Sequence, residues 1–485
     1  MLRLLLTPKK HIPFFLFTIS LVSIFLLAQQ NNPRSNLLSL LDSIEQDSAF
    51  RQGYFAFSLR NASTGKVLAE KNANKLLKVA SCLKLFSTAT ALEVLGKDFT
   101  FQTQIAYDGK IEAGVLKGNI YIVGGGDPTL GSSDWKGQMQ AQELLEHWVK
   151  VVAKQGISKV EGSIIAYNAH FGEYTMPRGW IWEDIGNYYG SDVYGLNFND
   201  NEYILHLQAG KKVGEASQIL RSEPELPFLK FEGQILTADK GTGDNAYIFG
   251  SPNENTKFLE GTIPIGGAFS IKGALPNPPL TTAYLLHQKL LKNGISVIQE
   301  PKTTKQKADW KIVDTQTSPT LAQIIEQTNT YSINLYAEAL YRQINKERKT
   351  NLVEFWQKKG LELSQAKIED GSGLSYKNYV SAHQLSQLLS LMRKSPNREL
   401  FEKSLPLAAH SGTMVNWGKN TILQANLRAK TGSTSGVVSL SGYLKAANGE
   451  ILCFSIIANQ YKGKYNRIRQ LFEKVLIESA KYNRS

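Results

Sequence analysis

Cysteine is almost missing from this chain of 485 residues: Cys82 and Cys453 are the only two. One pair cannot staple a fold of this size, so core packing must hold it together. Histidine is scarce as well, and the seven present are scattered without the paired spacing of metal ligands. A metal site therefore has no support, and no other cofactor is called for. Blocks of like charge are also lacking, although the formal net charge is +13. A basic balance spread this evenly makes a poor nucleic-acid footprint, and no nucleic-acid partner is expected; an anionic wall or membrane surface suits it. Length and apolar content suit two or three domains with a large core.

The N-terminal segment carries a clear address. Lys9 and Lys10 precede an apolar run from Ile12 to Ala28, the charged and hydrophobic regions of an export signal. The run nears the roughly 18 residues that span a bilayer, so residues 1–28 read as a signal peptide or a retained anchor. Either way the protein is expected in the periplasm or on the outer face of the cytoplasmic membrane, with membrane association through that segment if it stays uncleaved. No cysteine follows the run, which argues against a lipid-modified terminus.

Further on, Tyr54–Leu59, a turn at Asn61–Gly65 and Val67–Ala69 predict a β-hairpin. The C-terminal end mirrors it with Val437–Leu444, a turn at Ala447–Gly449 and a strand Ile451–Ala458. A last helix follows, with Ile468, Leu471, Phe472, Val475 and Leu476 on one face. The two ends are expected to share one antiparallel sheet flanked by helices, an α/β fold of the α+β type. Between them, residues 99–269 are rich in short strands and glycine turns and read as one or two inserted β-rich domains. Residues 34–98 and 270–485 are left as the host domain. Within the insertion, Gly124-Gly125-Gly126-Asp127-Pro128 reads as a tight turn, since no Lys-Ser or Lys-Thr follows to make a phosphate cradle.

Three short motifs carry chemistry. Ser-x-x-Lys begins at Ser63, Ser81, Ser133 and Ser364, and only the Ser81 copy opens a helical run, with Leu85, Leu92 and Leu95 on one face. There the Ser81 hydroxyl lies near the positive end of a helix dipole and Lys84 lies on the same face, a nucleophile beside its base. Cys82 reads as a small apolar residue packed behind the serine. Ser-x-Asn occurs at Ser251, Ser332 and Ser395, but the first and last have proline in the middle. Ser332 and Asn334 stand in a helical context, between Leu321 and Ile344. Lys430-Thr431-Gly432-Ser433 leads into the strand-like Gly436–Leu440, unlike the looser match His410-Ser411-Gly412-Thr413. Gly432 allows close backbone approach, and the Ser433 amide is a candidate oxyanion donor.

In this order the motifs are the signature of β-lactamases and penicillin-binding proteins. From about Leu37 onward the chain resembles the low-molecular-mass class C penicillin-binding proteins, the D-alanyl-D-alanine carboxypeptidase/endopeptidase family (S13). Shared stretches include Gly125–Leu130, Gly179-Trp180-Ile181-Trp182-Glu183-Asp184 and Asp370–Leu374. The resemblance implies peptidoglycan stem peptides as substrates and β-lactams as covalent inhibitors. It makes Ser81 the acylated residue, Lys84 its base and Ser332 a proton relay. Asn334 would hold substrate and orient Lys84, Lys430 and Thr431 would bind the terminal carboxylate, and the amides of Ser81 and Ser433 would form the oxyanion hole. Asp184 would meet the amine of the stem-peptide side chain, with Glu183 the alternative and Trp180 walling the same pocket. Two departures stand out. Ile333 replaces the usual polar middle residue, and His410 stands where an acid or small polar residue is common. A β-lactamase or esterase on the same scaffold, or a non-catalytic wall-binding protein, are the competing readings.

Overall fold

The computed structural model describes residues 33–172, 176–347 and 351–482. The signal or anchor segment, 1–28, lies outside them. Among the described residues no helix is long and apolar enough to cross a membrane.

The two ends of the chain do share a sheet. Its five strands run, in spatial order, Leu427–Thr434, Val437–Lys445, Ile451–Asn459, Tyr54–Asn61 and Val67–Lys71, with every neighbour antiparallel. The period of two in the strand Tyr54–Asn61 shows how both faces are buried. Phe55, Phe57 and Leu59 join a core with Phe472 and Leu476 of the C-terminal helix Tyr465–Ala480. Ala56 joins another with Leu85 and Leu385 on the opposite face. That second face carries the helices Lys84–Leu95, Leu321–Tyr331, Asn334–Glu347 and Ala382–Arg393. The helix Lys84–Leu95 is buried nearly all round, from Lys84 to Leu92. A polar pair inside is satisfied, with Trp356 Nε1 donating to Thr90 Oγ1 at 2.8 Å.

The chain leaves this domain after Leu95 and builds two modules. In the first, a five-stranded sheet is ordered Lys302–Thr304, Ile164–Tyr167, Ile120–Val123, Gln102–Tyr107, Lys311–Thr317. A smaller four-stranded sheet sits beside it, and the helices Ala141–Lys154 and Pro278–Lys292 pack their apolar faces into a shared core around Trp148, Leu286 and Leu290. The second module, Glu202–Ala274, has two small sheets and its own core around Leu205, Leu207, Ile248 and Leu259. The sequence reading ended the insertion at 269, but strand pairing carries it on to Thr317. Lys302–Thr304 lies parallel to Ile165–Tyr167, and Lys311–Thr317 lies antiparallel to Gln102–Tyr107. Such pairings bridge long stretches of chain and leave no local signal. In the triple-glycine turn a side chain on Gly125 would lie 2.0 Å from the Gln102 carbonyl, so the turn is packed against a neighbouring strand.

Candidate active site

Ser81, which periodicity has opening the helix, lies three residues ahead of it. Ala80–Leu83 form a 3₁₀ turn, and the α-helix begins only at Lys84. In a 3₁₀ turn residues i and i+3 eclipse, which brings the two side chains face to face. Lys84 Nζ is 2.8 Å from Ser81 Oγ. Ala80 is held at φ +43, a left-handed conformation that costs a residue with a β-carbon about 1–3 kcal/mol. Two close approaches impose it. A β-carbon on Gly373 would lie 1.9 Å from the Ala80 carbonyl oxygen, and one on Gly432 would lie 2.5 Å from that of Val79. Cys82 Sγ, fully buried, donates to the Lys430 carbonyl at 3.1 Å and fastens the turn to the strand Leu427–Thr434. Burial pushes its thiol pKa up, which leaves it unfit as a nucleophile.

Lys84 has no exposed surface. Its Nζ also reaches Asn334 Oδ1 at 2.6 Å and the Ser372 carbonyl at 2.9 Å. Burial, reinforced by the charge of Lys430, holds its pKa well below the usual lysine value, against the opposing pull of Asp370 and Glu338. A neutral amine beside a serine hydroxyl is a general base in position.

Helix Leu321–Tyr331 stops at Ser332, which takes φ +66 and ψ +35, and a new helix starts at Asn334. This break, invisible in the apolar periodicity, puts both motif residues in the wall of one cavity. Asn334 Nδ2 donates to the Tyr189 carbonyl at 2.7 Å, so the insertion helps to fix it. Ile333 packs on the host core and also reaches the cavity wall, so its side chain does not point wholly away from the cleft. Lys430 Nζ donates to Ser332 Oγ and to the Thr431 carbonyl, each at 2.8 Å, and burial lowers its pKa to about 8.

The cavity holds about 850 Å³. Ser81, Ser332, Asn334, Thr431, Ser433 and Asp184 line it, while Lys84, Lys430 and Gly432 lie beneath. Strand Leu427–Thr434 forms an edge of the sheet, and residues 406–408 cover only its first half, through Ala408 N to the Leu427 carbonyl and Ala429 N to the Pro406 carbonyl. In the other half Thr431, Ser433 and Thr434 line the cleft on a sheet edge suited to an extended peptide. Asp184, on the short helix Trp182–Ile185, has its pKa pushed up to about 6, chiefly by burial and against a hydrogen bond from Tyr189. Its Oδ2 is buried without a hydrogen-bond partner among the described residues. Glu183 also lines the cavity but is exposed.

Trp180 does not wall the cavity. Its ring is buried and Nε1 donates to Asp370 Oδ2 at 2.9 Å. Asp370 also accepts from the amides of Gly373 and Ser375 and from Asn378 Nδ2. Glu338, buried one helical turn after Asn334, accepts from the amides of Gly371 and Ser372. These two acids shape the loop whose Ser372 carbonyl touches Lys84. Sequence reasoning passed over Glu338, and its one signal was an acid among Leu335, Ala337, Ala339 and Leu340. It also missed Tyr189, Tyr247, Asp200 and Lys272, which the insertion contributes to the wall. His410 donates from Nδ1 to the Ala408 carbonyl at 2.9 Å, while Thr413 nearby lines the cavity. No group of three or more His, Cys, Asp or Glu side chains able to hold a metal occurs among the described residues.

Residues 37–474 match the D-Ala-D-Ala carboxypeptidase 3 (S13) family. A D-alanyl-D-alanine carboxypeptidase of Actinomadura sp. (strain R39) is 27% identical, over 87% of this chain and 81% of that protein. A D-alanyl-D-alanine carboxypeptidase of Haemophilus influenzae is 26% identical, over 84% and 85% respectively. The crystal structure of penicillin binding protein 4 from Haemophilus influenzae superposes with a TM-score of 0.77 at 24% identity, covering 92% of this chain and all of that one. With its motifs converging on one cleft and the family match spanning most of its length, the chain belongs to the D-Ala-D-Ala carboxypeptidase 3 (S13) family of serine peptidases acting on peptidoglycan.

Proposed function

We propose that this enzyme works outside the cytoplasm, carried there by residues 1–28, and cleaves stem peptides through an acyl-enzyme on Ser81. The observation that carries the mechanism is the buried Lys84 amine, 2.8 Å from Ser81 Oγ and held well below its usual pKa. Lys84 takes the Ser81 proton as Oγ bonds to the carbonyl carbon between the two D-alanines, and the amides of Ser81 and Ser433 receive the oxyanion. As the C–N bond breaks, the Ser332 hydroxyl gives its proton to the leaving nitrogen. The proton taken up by Lys84 then makes good the one lost from Ser332, whose Oγ meanwhile accepts a hydrogen bond from Lys430 Nζ. Water then adds to the ester with Lys84 again as base, which frees Ser81 and releases the acid.

Lys430 and Thr431 bind the terminal carboxylate of the leaving residue, and Asp184 takes the side-chain amine of the stem peptide. A D-alanine bond inside a cross-link presents the same scissile carbonyl, so endopeptidase action belongs to the same reading. Labelled penicillin tests it: the wild-type protein forms a long-lived covalent adduct and Ser81→Ala forms none. An adduct that survives Ser81→Ala, or no adduct on the wild type, overturns it. Rapid turnover of penicillin would favour a β-lactamase instead.

A further inference from the structure

Next to the cleft the insertion displays aromatic rings that folding has left in water. Trp182 is 50% exposed and Tyr247 is 45% exposed. The half-buried Phe249 joins them, its ring centroid 6.5 Å from Trp182 at an interplanar angle of 25° and 6.1 Å from Tyr247 at 31°. The row follows from strand alternation: in Asn245–Phe249 the odd positions 247 and 249 face outward while Ile248 enters the core. The Ile248 amide donates to Asn187 Oδ1 at 3.1 Å, which ties this strand to the segment just after the Trp182 helix. At its inner end the row enters the active-site wall through Tyr247. There a side pocket of about 230 Å³ is lined by Tyr188, Tyr247, Asn187, Asp244, Asn245 and Lys272.

Single exposed apolar residues need no explanation, but a contiguous aromatic patch beside a cleft marks a binding surface. Its shape selects the occupant. A helix or a hydrophobic peptide needs a groove, whereas this row is a stack of partly exposed rings whose planes lie within 31° of their neighbours', with amide and carboxylate groups at its inner end. Flat aromatic faces edged by hydrogen-bonding groups complement a pyranose, whose C–H face is apolar and whose hydroxyl and acetamido groups lie around its edge. A stem peptide is covalently joined to an amino sugar, so the peptide held in the cleft brings a sugar to the cleft's outer end.

We propose that Trp182, Phe249 and Tyr247 form a platform for the amino sugars of the glycan strand, so that the enzyme grips its substrate by sugar as well as by peptide. This rests on the peptidoglycan reading above. The test compares a free stem pentapeptide with the same peptide attached to its disaccharide, using the full chain and its Trp182→Ala and Phe249→Ala variants. KM for the disaccharide-linked substrate should rise about tenfold in each variant with kcat unchanged. KM for the free peptide and the rate of penicillin acylation should stay as in the wild type, and Trp182→Tyr should restore most of the loss.

Titrating wild-type protein with the peptide-free disaccharide supplies a readout independent of activity and of variant folding. Trp182 is the one tryptophan among the large exposed apolar residues, so its emission should shift saturably, and the shift should vanish in Trp182→Tyr. Equal KM for the two substrates in the wild type, equal losses on both in the variants, no response to the disaccharide, or coverage of the row by a partner protein would overturn the platform. Absence of penicillin acylation in the wild type would instead overturn the reading on which it rests.

Discussion

Around the Lys84 amine the polar contacts are closed, whereas across the cleft a buried carboxylate oxygen is left open. Lys84 Nζ has three oxygen partners within 2.9 Å, and the loop it touches is held by Asp370 and Glu338 through backbone amides. Asp184 Oδ2, supplied by the insertion, is as well buried and has no partner among the described residues. The difference separates two tasks. Groups that move protons must be placed before substrate arrives, because positional error is costly in rate. A group that recognises a cation profits from an unmet need that only the ligand fills, since a buried acceptor left unpaired costs about 1–3 kcal/mol.

The largest effect should come from the closed side. Lys84→Met fills the same space without a base, and acylation by labelled penicillin should slow by about 10³-fold or more. Met also strands Asn334 Oδ1 and the Ser372 carbonyl, so the melting temperature should drop. A variant acylated within tenfold of the wild type would show that the closed network is scaffolding and the base lies elsewhere.

Gly432→Ala attacks the same side through packing alone. The new β-carbon would sit 2.4 Å from Ser439 Oγ and 2.5 Å from the Val79 carbonyl oxygen, so the strand must back away from the nucleophile turn. A shift of about 1 Å there should cost about 100-fold in acylation rate. KM for a peptide held on the outer cleft should move far less. Equal losses in both would mean the two sides do not act separately.

What could be read from sequence divides along the same line. Ser81 with Lys84, and Lys430 with its strand, are local arrangements in which a spacing of three or an alternation of two already fixes which side chains meet. Their surroundings are not local. Glu338 reads as a solvated acid until the Asp370–Leu374 loop folds over it, and Trp180 reads as a pocket wall until Asp370 claims its N–H. The end of the insertion at Thr317 depends on a strand returning to Gln102–Tyr107 from more than two hundred residues away. The break at Ser332 hides because helical periodicity continues on both sides of a single left-handed residue.

The open side should give the smallest effect and the clearest pH signature. Burial raises Asp184 to about 6, so its carboxylate is charged above that pH and neutral below it. An amine-bearing stem peptide should therefore be preferred over its N-acetylated counterpart above pH 6, by about tenfold in kcat/KM. The preference should fade as pH falls through 6, and Asp184→Asn should lack it at every pH. Stability should run the opposite way. The unfolded acid ionises near its ordinary value of 3.8 while the folded one resists until about 6. Ionisation therefore weakens the empty enzyme progressively between those values. At pH 7 Asp184→Asn should melt above the wild type, and the gap should close below pH 4. A cationic ligand should narrow it by stabilising the wild type alone. A wild type that outlasts the Asn variant at pH 7 without ligand would mean that Asp184 is already paired, and the two sides of the cleft would then be alike.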